Sequence, residues 1–476
     1  MNKENKITRR KFVAASGAAI AGTMLASSSA GYLLGQPEST KKKVALVGTG
    51  IRGISLWGKY LKENYGDYIE FTALCDINPG RLAFGKEYIG VNCPTFTDFD
   101  EMLKTTKIDV LMVNTVDATH HEFIVKALQH GIDVITEKPM TTDEVKCQAI
   151  LDAERKSKNK VITAFNYRYG ILPTEVKKHL LSNEIGKITS VDFHWYLNTW
   201  HGASYFRRWH GIKAKSGTLL LHKASHHFDL LNWWIGSDPV EVHAYGNLEF
   251  YGKNHLFRGS RCMNCEYKDQ CKFFWDITAD EKCMNLYVNN EQYDGYIRDN
   301  CLWRNEIDIY DKMAVQIKYA NNVQVSYSLT TYSPFEGFRI AFNGTKGRME
   351  TWEGIPWLEK EQENQAEIYE KEMGYTSHTS DDKKFHEITV QKLFNEYEQH
   401  KLKYVRLGHW GGDKIMQDYI FKGVKTDAAL NHMAGTRDGA MAILIGIAAR
   451  KSIDEKRQVK ITELTDLVPR VNKWES

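Results

Sequence analysis

The chain has 476 residues, of which 42% are hydrophobic and 12% aromatic, so it can bury a sizeable core and is long enough for two domains. Its 63 Lys and Arg residues nearly balance its 60 Asp and Glu residues, which leaves a net charge of only +3. Proteins that bind polyanions usually carry a clear positive excess, so this balance argues against a nucleic-acid partner. The composition excludes a fibrous or disordered chain and leaves globular enzymes and binding proteins open.

Residues 1–35 differ from the rest and resemble a twin-arginine signal peptide. Arg9 and Arg10 precede an uncharged, Ala- and Gly-rich run that begins at Phe12 and ends near Ala26. A bilayer-spanning helix needs about 20 apolar residues, so we expect cleavage and no membrane attachment afterwards. The route carries folded proteins, which predicts a periplasmic or otherwise exported product that folds first. A disordered basic tail is the alternative interpretation.

Residues 42–165 alternate short apolar runs with helical stretches. Lys43 to Val47 runs directly into a glycine-rich turn, Ile69 to Cys75 ends on Asp76, and further apolar runs lie at 110–113, 134–136 and about 161–166. Strands that alternate with helices predict an α/β fold with a doubly wound parallel sheet. The sequence therefore predicts a Rossmann-type dinucleotide-binding domain over residues 42–165.

The turn after the first strand carries the glycine spacing of a dinucleotide site. Gly48 permits the tight turn, Gly50 lets the backbone approach a pyrophosphate, and Gly53 allows close helix packing, with Ile51 and Arg52 at the start of the helix. A glycine turn that binds nothing is the alternative.

Asp76 ends the next strand, where a carboxylate can accept hydrogen bonds from ribose hydroxyls and repel a 2′-phosphate. This position favours NAD over NADP, although Arg81 could still meet a phosphate. Asn114 and Glu137 follow later strands at the same edge and are further candidate cofactor residues.

Glu137, Lys138 and Pro139 follow the run at 134–136 and so fall at the carboxyl edge of the sheet, where open α/β folds bind ligands. Beside a bound nicotinamide, the Lys138 ammonium could contact the cofactor and polarise or protonate a substrate oxygen, with a pKa lowered by burial. A surface turn is the plainer interpretation of a lysine before a proline.

The pattern changes near residue 166 to longer alternating strands, such as Val191 to Tyr196 and Val323 to Tyr327. Such alternation is typical of an antiparallel or mixed sheet with one exposed face. The sequence therefore predicts a second α/β domain over residues 166–470 with a large open sheet. Within it, residues 251–303 lack a regular period and carry five of the eight cysteines, which indicates an insertion.

Three motifs in this order, Gly48 to Gly53, Glu137 to Pro139 and Asn166 to Tyr169, resemble the Gfo/Idh/MocA oxidoreductases. The resemblance covers nearly everything after the signal. It implies an N-terminal Rossmann domain, a C-terminal α/β domain that forms the substrate site and often the oligomer interface, and activity on sugars, inositols or related polyols. It also places the family's catalytic lysine at Lys138.

The family usually carries an Asp four residues before a His on the first long C-terminal helix, and here these positions are His222 and His226. Residues i and i+4 share a helix face, so both imidazoles can face one ligand. His226, and secondarily His222, is a candidate base and substrate ligand, because a histidine pKa lies near working pH. A metal pair is the alternative. Tyr167 and Arg168 follow the last Rossmann strand and are candidate substrate residues, with core packing or a salt bridge as the alternative.

His222 in place of the family's Asp also resembles the related NAD-dependent glycosidases, as does the segment Gly408 to Asp413 with His409. Those enzymes oxidise a sugar hydroxyl, eliminate the aglycone, add water and return the hydride. They tend to lack the lysine found here at position 138, so simple dehydrogenation ranks first and redox glycoside cleavage second.

Cys262, Cys265, Cys271 and Cys283 give four thiols in the irregular insertion, a set that suits tetrahedral zinc. An iron–sulfur cluster is also possible, two disulfides are about equally compatible with an exported protein, and Cys301 could replace one ligand.

Together these observations predict an exported NAD(P)-dependent oxidoreductase. It would act on a sugar, polyol or glycoside through a tightly bound cofactor, and it would assemble as a homo-oligomer through its C-terminal sheet. A Rossmann frame that binds sugar or dinucleotide without chemistry is a further alternative.

Overall fold

The computed structural model describes residues 41–359, 364–373, 379–406, 408–424 and 427–474. The predicted signal peptide, residues 1–35, lies outside this range. Two sheets dominate the architecture: a six-stranded parallel sheet and a nine-stranded mixed sheet. The predicted α/β fold class, a doubly wound Rossmann sheet followed by a large mixed sheet, is confirmed.

The first sheet has the order β3-β2-β1-β4-β5-β6, and every pair in it is parallel. Its strands are β1 (Lys42–Val47), β2 (Ile69–Cys75), β3 (Thr95–Phe96), β4 (Val110–Val113), β5 (Asp133–Thr136) and β6 (Val161–Thr163). Residues 44–47 and all of β4 are buried because helices cover both faces, which explains why these strands read as continuous apolar runs. The order reverses between β1 and β4, and that switch point is where such sheets bind ligands.

The helices around this sheet are α1 (Gly53–Tyr60), which is wound as a π-helix, α2 (Leu61–Tyr65), α3 (Pro79–Ile89), α4 (Phe99–Thr105), α5 (His120–Gln129) and α6 (Glu144–Arg155). Local sequence sets several of their starts: the side chains of Asn78, Asp98 and Asp143 each accept a backbone N–H from the first turn of α3, α4 and α6. These caps fix where each helix leaves the carboxyl edge of the sheet.

The second sheet has the order β14-β13-β12-β11-β7-β10-β9-β8-β15 and is antiparallel except where β7 pairs with β10. Its strands are β7 (Ile188–Asn198), β8 (Pro239–Asn247), β9 (Lys312–Tyr319), β10 (Gln324–Ser333), β11 (Gly337–Gly344), β12 (Gly347–Glu353), β13 (Thr379–Lys392), β14 (Tyr397–Arg406) and β15 (Val459–Lys460). Burial alternates residue by residue along β9 and β10, so one face packs on helices and the other is open.

The remaining helices are α7 (Ile171–Leu181), α8 (Thr199–Arg207), α9 (Lys213–Ser216), α10 (Leu219–His222), α11 (Ala224–Ile235), α12 (Glu281–Leu286), α13 (Glu291–Asp294), α14 (Pro356–Glu359), α15 (Gln365–Met373), α16 (Gly412–Phe421) and α17 (Thr436–Glu455). All twelve residues of α11 are buried, and its apolar side chains share one core cluster with those of α17. Among the described helices, none is both long and apolar enough to cross a membrane.

The cysteine-rich insertion connects β8 to β9. Between residues 251 and 303 it contains short helices and turns, with α12 and α13 as its helices. Asp311 fixes its start by accepting the N–H groups of Glu249, Phe250 and Tyr251. Ile277, Cys283, Leu286 and Tyr287 are buried in the same apolar cluster as residues of the Rossmann domain. The insertion therefore packs against the first domain although the chain places it in the second.

Candidate active site

The glycine-rich turn after β1 packs so tightly that two of its glycines have no room for a side chain. Gly48 has a φ of 91°, and a Cβ there would lie 2.5 Å from the carbonyl oxygen of Asn114. A Cβ on Gly53 would lie 2.2 Å from the carbonyl oxygen of Gly48. At Gly50 the closest atom to a Cβ would be the Tyr287 hydroxyl, 3.7 Å away. The turn is thus closed towards the sheet and open at Gly50.

Asp76 directly follows β2, and both of its carboxylate oxygens accept hydrogen bonds. Its Oδ2 accepts the backbone N–H of Thr49 at 2.8 Å, and its Oδ1 accepts a guanidinium N–H of Arg81 at 3.1 Å. Arg81 also pairs with Asp294 from the insertion. The carboxylate at the predicted ribose position is therefore fixed to the glycine turn and, through Arg81, to the insertion.

The glycine turn and the residues around it leave room and hydrogen-bonding groups for a dinucleotide. The amide oxygen of Asn114 is buried without a hydrogen-bond partner among the described residues, at the edge where β4 ends. Buried polar atoms normally have a partner, so an orphan beside an open glycine turn indicates a ligand position. The helix that starts at Gly53 directs its first N–H groups to the same place.

Glu137 and Lys138 follow β5 at this edge. Glu137 accepts hydrogen bonds from Arg52 at 2.6 Å and from the Trp57 indole at 2.8 Å. Burial alone would raise the pKa of Glu137, but the charges of Arg52 and Lys138 outweigh it and hold that pKa below its usual value. Glu137 is therefore an ionised carboxylate that holds Arg52 of the glycine turn in place.

Lys138 points its ammonium at the second domain, where it donates to the backbone carbonyl of His222, the last residue of α10, at 3.2 Å. Burial lowers its pKa to about 8, against the opposing influence of Glu137 and Asp117. A lysine in this range exchanges a proton near neutral pH, as an acid–base group must.

His222 is held by a carboxylate that the sequence analysis missed. Its Nδ1 lies 2.6 Å from Oδ2 of Asp117, a buried residue that follows β4. Burial raises the pKa of Asp117 well above its ordinary value and, together with the nearby Lys138 charge, lowers that of His222. Burial thus disfavours the charged form of each member, and the contact with Asp117 fixes the orientation of the imidazole.

The helix predicted to carry both histidines is interrupted: α10 ends at His222, and α11 begins at Ala224. His226 stacks on the Tyr167 ring with centroids 4.1 Å apart. The hydroxyl of Tyr167 accepts a hydrogen bond from Lys223 at 2.9 Å. The structure thus brings Lys138, His222, His226 and Tyr167 into one region, with Lys223 as a second lysine.

The prediction of Arg168 as a substrate residue is not supported by its position. The side chain has no exposed surface and pairs with Asp229, at 2.7 Å from Nε and 2.5 Å from Nη2. Asp438 at 3.0 Å completes the network. Both its hydrogen-bonding edges are occupied inside the core, so Arg168 ties the short 3₁₀ helix at residues 166–169 to α11 and α17, the salt-bridge alternative named above.

The comparisons with known proteins match both halves of this description. Residues 42–165 match the family profile described as "Oxidoreductase family, NAD-binding Rossmann fold", and residues 177–461 match "Oxidoreductase family, C-terminal alpha/beta domain". The chain belongs to the Gfo/Idh/MocA oxidoreductase family. It is an NAD-binding oxidoreductase of that family, as the resemblance implied.

Relatives of this Gfo/Idh/MocA protein include the Bacillus subtilis (strain 168) protein YteT, which is named as an oxidoreductase. It is 35% identical over 446 residues, which cover 89% of this chain and 98% of YteT. The inositol 2-dehydrogenase/D-chiro-inositol 3-dehydrogenase of Lactiplantibacillus plantarum is 24% identical over 51% of this chain and 69% of its own length. A levoglucosan dehydrogenase solved with NADH and levoglucosan shares the fold, with a TM-score of 0.60 at 16% identity over 89% of this chain and all of that one.

The cysteines of this Gfo/Idh/MocA member are arranged differently from the predicted set. Cys262, Cys265 and Cys271 line one cavity together with Cys301, whereas Cys283 lies in the apolar contact with the Rossmann domain. Cys301 is thus the fourth thiol, the substitution named above. No three of these sulfur atoms lie within 4.8 Å of one another; among the described residues, His179, Glu184 and His400 are the set that meets this distance.

Two further predicted or missed positions concern the segment 408–413. The side chain of His409 lies outside the described residues, so its predicted substrate role stays a prediction. Asp413, which the sequence analysis did not single out, accepts hydrogen bonds from Arg52 and from Asn166, each at 2.9 Å. Asp413 therefore links the glycine turn to the second domain. Asp117 could have been found by its place at the carboxyl edge of the sheet, and Asp413 ends the segment 408–413 that the sequence analysis named, whereas no sequence signal indicated Tyr287.

Proposed function

We propose that this protein oxidises or reduces a hydroxyl-bearing carbon of a sugar or polyol, with Lys138 and the His222–Asp117 pair managing the hydroxyl proton. The observation that carries the proposal is the convergence of these groups at the carboxyl edge of the sheet, beside the open glycine turn. A bound nicotinamide supplies the hydride acceptor or donor at this edge. The named relatives act on inositol and levoglucosan, which supports a polyhydroxylated substrate.

The residues divide the work according to their surroundings. Lys138 carries an ammonium with a lowered pKa of about 8, so it can hydrogen-bond to a substrate oxygen and exchange its proton. Asp117 orients His222, which can act as the partner base. His226 is buried and stacked on the Tyr167 ring, which fixes the orientation of its imidazole.

The cofactor we propose is NAD and not NADP. Arg81, which the sequence left available for a 2′-phosphate, is occupied by Asp76 and Asp294. A 2′-phosphate would meet two carboxylates before it met that guanidinium. Titration of the apoprotein with each nucleotide tests this, and equal affinity for both would contradict it.

A second candidate is glycoside cleavage through transient oxidation. The observation that favours it is His222 in the position where the family's dehydrogenases usually carry Asp, now seen paired with Asp117. Such a reaction returns the hydride to the same sugar, so it needs no external acceptor. That would suit an exported enzyme, because free nicotinamide nucleotides are scarce outside the cytoplasm.

One experiment separates these functions. Protein purified without added nucleotide is mixed with a panel of monosaccharides and aryl glycosides, and absorbance at about 340 nm is followed in parallel with aglycone release. Net absorbance growth without release supports the dehydrogenase, and release without net growth supports the glycosidase. Bound nucleotide with neither signal would overturn both and leave a binding protein.

We also propose export by the twin-arginine route and assembly through the open face of the nine-stranded sheet. The paired Arg9 and Arg10 support the first, and the alternating exposure along β9 and β10 supports the second. Replacing both arginines by lysine should retain the protein in the cytoplasm. Light scattering of the purified protein tests the assembly, and a monomer would contradict it.

The thiols of Cys262, Cys265, Cys271 and Cys301 line one cavity and are candidate ligands for a structural zinc ion, because thiolates are preferred zinc ligands. No three of these sulfur atoms lie within 4.8 Å of one another, so the side chains would have to move closer together to bind zinc. Two disulfides are the other outcome. Metal analysis with a count of free thiols after denaturation separates the two.

A further inference from the structure

The insertion reaches across to the glycine turn of the dinucleotide site. The hydroxyl of Tyr287 accepts a hydrogen bond from the backbone N–H of Ile51 at 2.9 Å. Its oxygen is also the closest atom to the open side of Gly50. In a Rossmann domain these amides and this glycine meet the pyrophosphate. Tyr287 therefore lies beside the diphosphate position although it is 236 residues away in sequence.

This approach is held in place by contacts on either side of Tyr287. Asn290, three residues later, accepts the side-chain N–H of Asn78 on its backbone carbonyl at 2.9 Å. Its side chain leaves no room for a Cβ on Gly80 at the start of α3. Leu286 packs into the Rossmann core. These contacts on both sides fix the backbone at Tyr287 and so hold its hydroxyl at the glycine turn.

A cation accompanies the tyrosine. The guanidinium centre of Arg298 lies 5.1 Å from the centroid of the Tyr287 ring. Its Nε is buried without a hydrogen-bond partner, and within the described parts of the chain no carboxylate forms an ion pair with it. Its guanidinium hydrogen-bonds to the side chains of Tyr296 and Cys283. The neighbouring Arg261 shows the contrast, since it pairs with both Glu291 and Asp299. A half-buried guanidinium that contacts a phenol and a thiol but pairs with no carboxylate keeps its charge available for a bound anion.

We propose that the insertion forms the outer wall of the dinucleotide site, with Tyr287 and Arg298 holding the diphosphate so that the cofactor stays bound between turnovers. The hydroxyl accepts from Ile51 and still has its own proton to donate to a phosphate oxygen. Arg298 supplies positive charge for the diphosphate. This inference rests on the proposed function for the identity of the ligand, and it adds two residues that lie outside the Rossmann domain.

The test compares nucleotide binding by the full-length wild type, Tyr287→Phe and Arg298→Met. Matched controls are Tyr293→Phe and Arg258→Met, which change exposed residues of the same insertion. The probes are NAD, ADP and AMP, because ADP carries the diphosphate and AMP lacks it. Binding is measured by calorimetry, and NAD release is followed by rapid mixing with a fluorescent competitor. Neither readout requires turnover.

Hydrogen bonds to charged groups contribute enough for a change of about tenfold or more, so we expect each site variant to release NAD about tenfold faster. The preference for ADP over AMP should fall by a similar factor, while AMP binding and both controls stay at wild-type values. Raising the salt concentration should weaken ADP binding to the wild type more than to Arg298→Met.

Several outcomes would overturn the proposal. Wild-type release rates and ADP preference in both folded site variants would remove the insertion from the site while leaving NAD binding intact. Failure of the wild type itself to bind NAD would instead remove the proposed function, and this inference with it. If a variant does not fold, hydrogen exchange of the wild type decides: NAD must protect the amides of residues 283–298 as well as that of Ile51, and protection confined to the turn contradicts the wall.

Discussion

Two cations, the half-buried Lys138 and the fully buried Arg168, lie thirty residues apart in sequence and in opposite electrostatic surroundings. Arg168 is clasped by Asp229 and Asp438, with both edges of its guanidinium occupied. The ammonium of Lys138 donates to a backbone carbonyl, with the charges of Glu137 and Asp117 near it. The comparison teaches that a fully paired charge stabilises the fold, whereas an incompletely paired one is left available for chemistry.

The largest effect should come from removing the incompletely paired cation. Lys138→Met should lower kcat/KM by about 10²- to 10⁴-fold, the usual contribution of a positioned acid–base group. Thermal stability should stay near that of the wild type, because a half-buried charge is removed along with its hydrogen bond. Steady-state kinetics with whichever sugar responds in the panel measures the first, and a thermal melt the second.

The pH profile sharpens this test. With a pKa of about 8 for Lys138, the neutral amine that accepts a proton grows as pH rises, so sugar oxidation should increase towards about pH 8 and level off above it. Glu137 and Asp117 oppose this lowering of the pKa, and Lys223 and Arg52 favour it. Lys138→Arg keeps the charge but cannot release a proton near neutral pH, so this variant should lose activity as Lys138→Met does. Activity within tenfold of wild type in either variant would contradict the assigned role.

The fully paired cation should behave in the reverse manner. Arg168→Met leaves Asp229 buried without its partner, which should lower the free energy of unfolding by about 3–5 kcal/mol. Arg155→Met, which removes an exposed pair with Asp466, is the matched control and should change stability little. Denaturant titrations compare the two variants. Unchanged stability in Arg168→Met with a raised KM would return Arg168 to the substrate site.

A third cation, the buried Lys177, tests whether poor pairing by itself lowers a pKa away from the site. Its ammonium donates to the Trp233 carbonyl at 2.6 Å, and burial lowers its pKa to about 7. Above pH 7 the folded state has released a proton that the unfolded chain keeps up to about pH 10.4, so wild-type stability rises with pH in this window.

Lys177→Met removes that titration. Its stability relative to wild type should be greatest below about pH 7 and should shrink by about 1.4 kcal/mol per pH unit above it. Thermal melts of both proteins across this range measure the difference. Lys178→Met, which changes the exposed neighbour paired with Glu175, should show no such trend. A pH-independent difference for Lys177→Met would mean that its ammonium is not the titrating group.

The comparison also explains which parts of the site could be predicted from sequence. The glycine turn, Asp76 and Lys138 each follow a strand that the apolar pattern identifies, so their place at the sheet edge follows from local sequence. The partners of these residues are distant: His222 pairs with Asp117 across 105 residues, and Arg52 with Asp413 across 361. No local pattern encodes such pairings, because they depend on how the two domains pack.

Arg168 shows the same limit from the other side. Its position after the last Rossmann strand predicted that its side chain faces the cleft. A shift of one residue along the chain is enough to turn a side chain from the cleft to the core. Asp229 and Asp438, which decide it, lie on α11 and α17. The cysteines were similarly ambiguous, because spacing alone could not show that α12 carries Cys283 away to the Rossmann surface while Cys301 returns to the other three.

The link between Arg52 and Asp413 has a consequence for the order of events during synthesis. The glycine turn leaves the ribosome 361 residues before Asp413 does, and the carbonyl of Ala434, which accepts the N–H of Thr163 on the last Rossmann strand, comes later still. A half-made chain thus has the turn with Asp76 and Glu137 but without Asp413 and Tyr287. We therefore expect firm cofactor binding only after the C-terminal half of the chain has been synthesised and has folded.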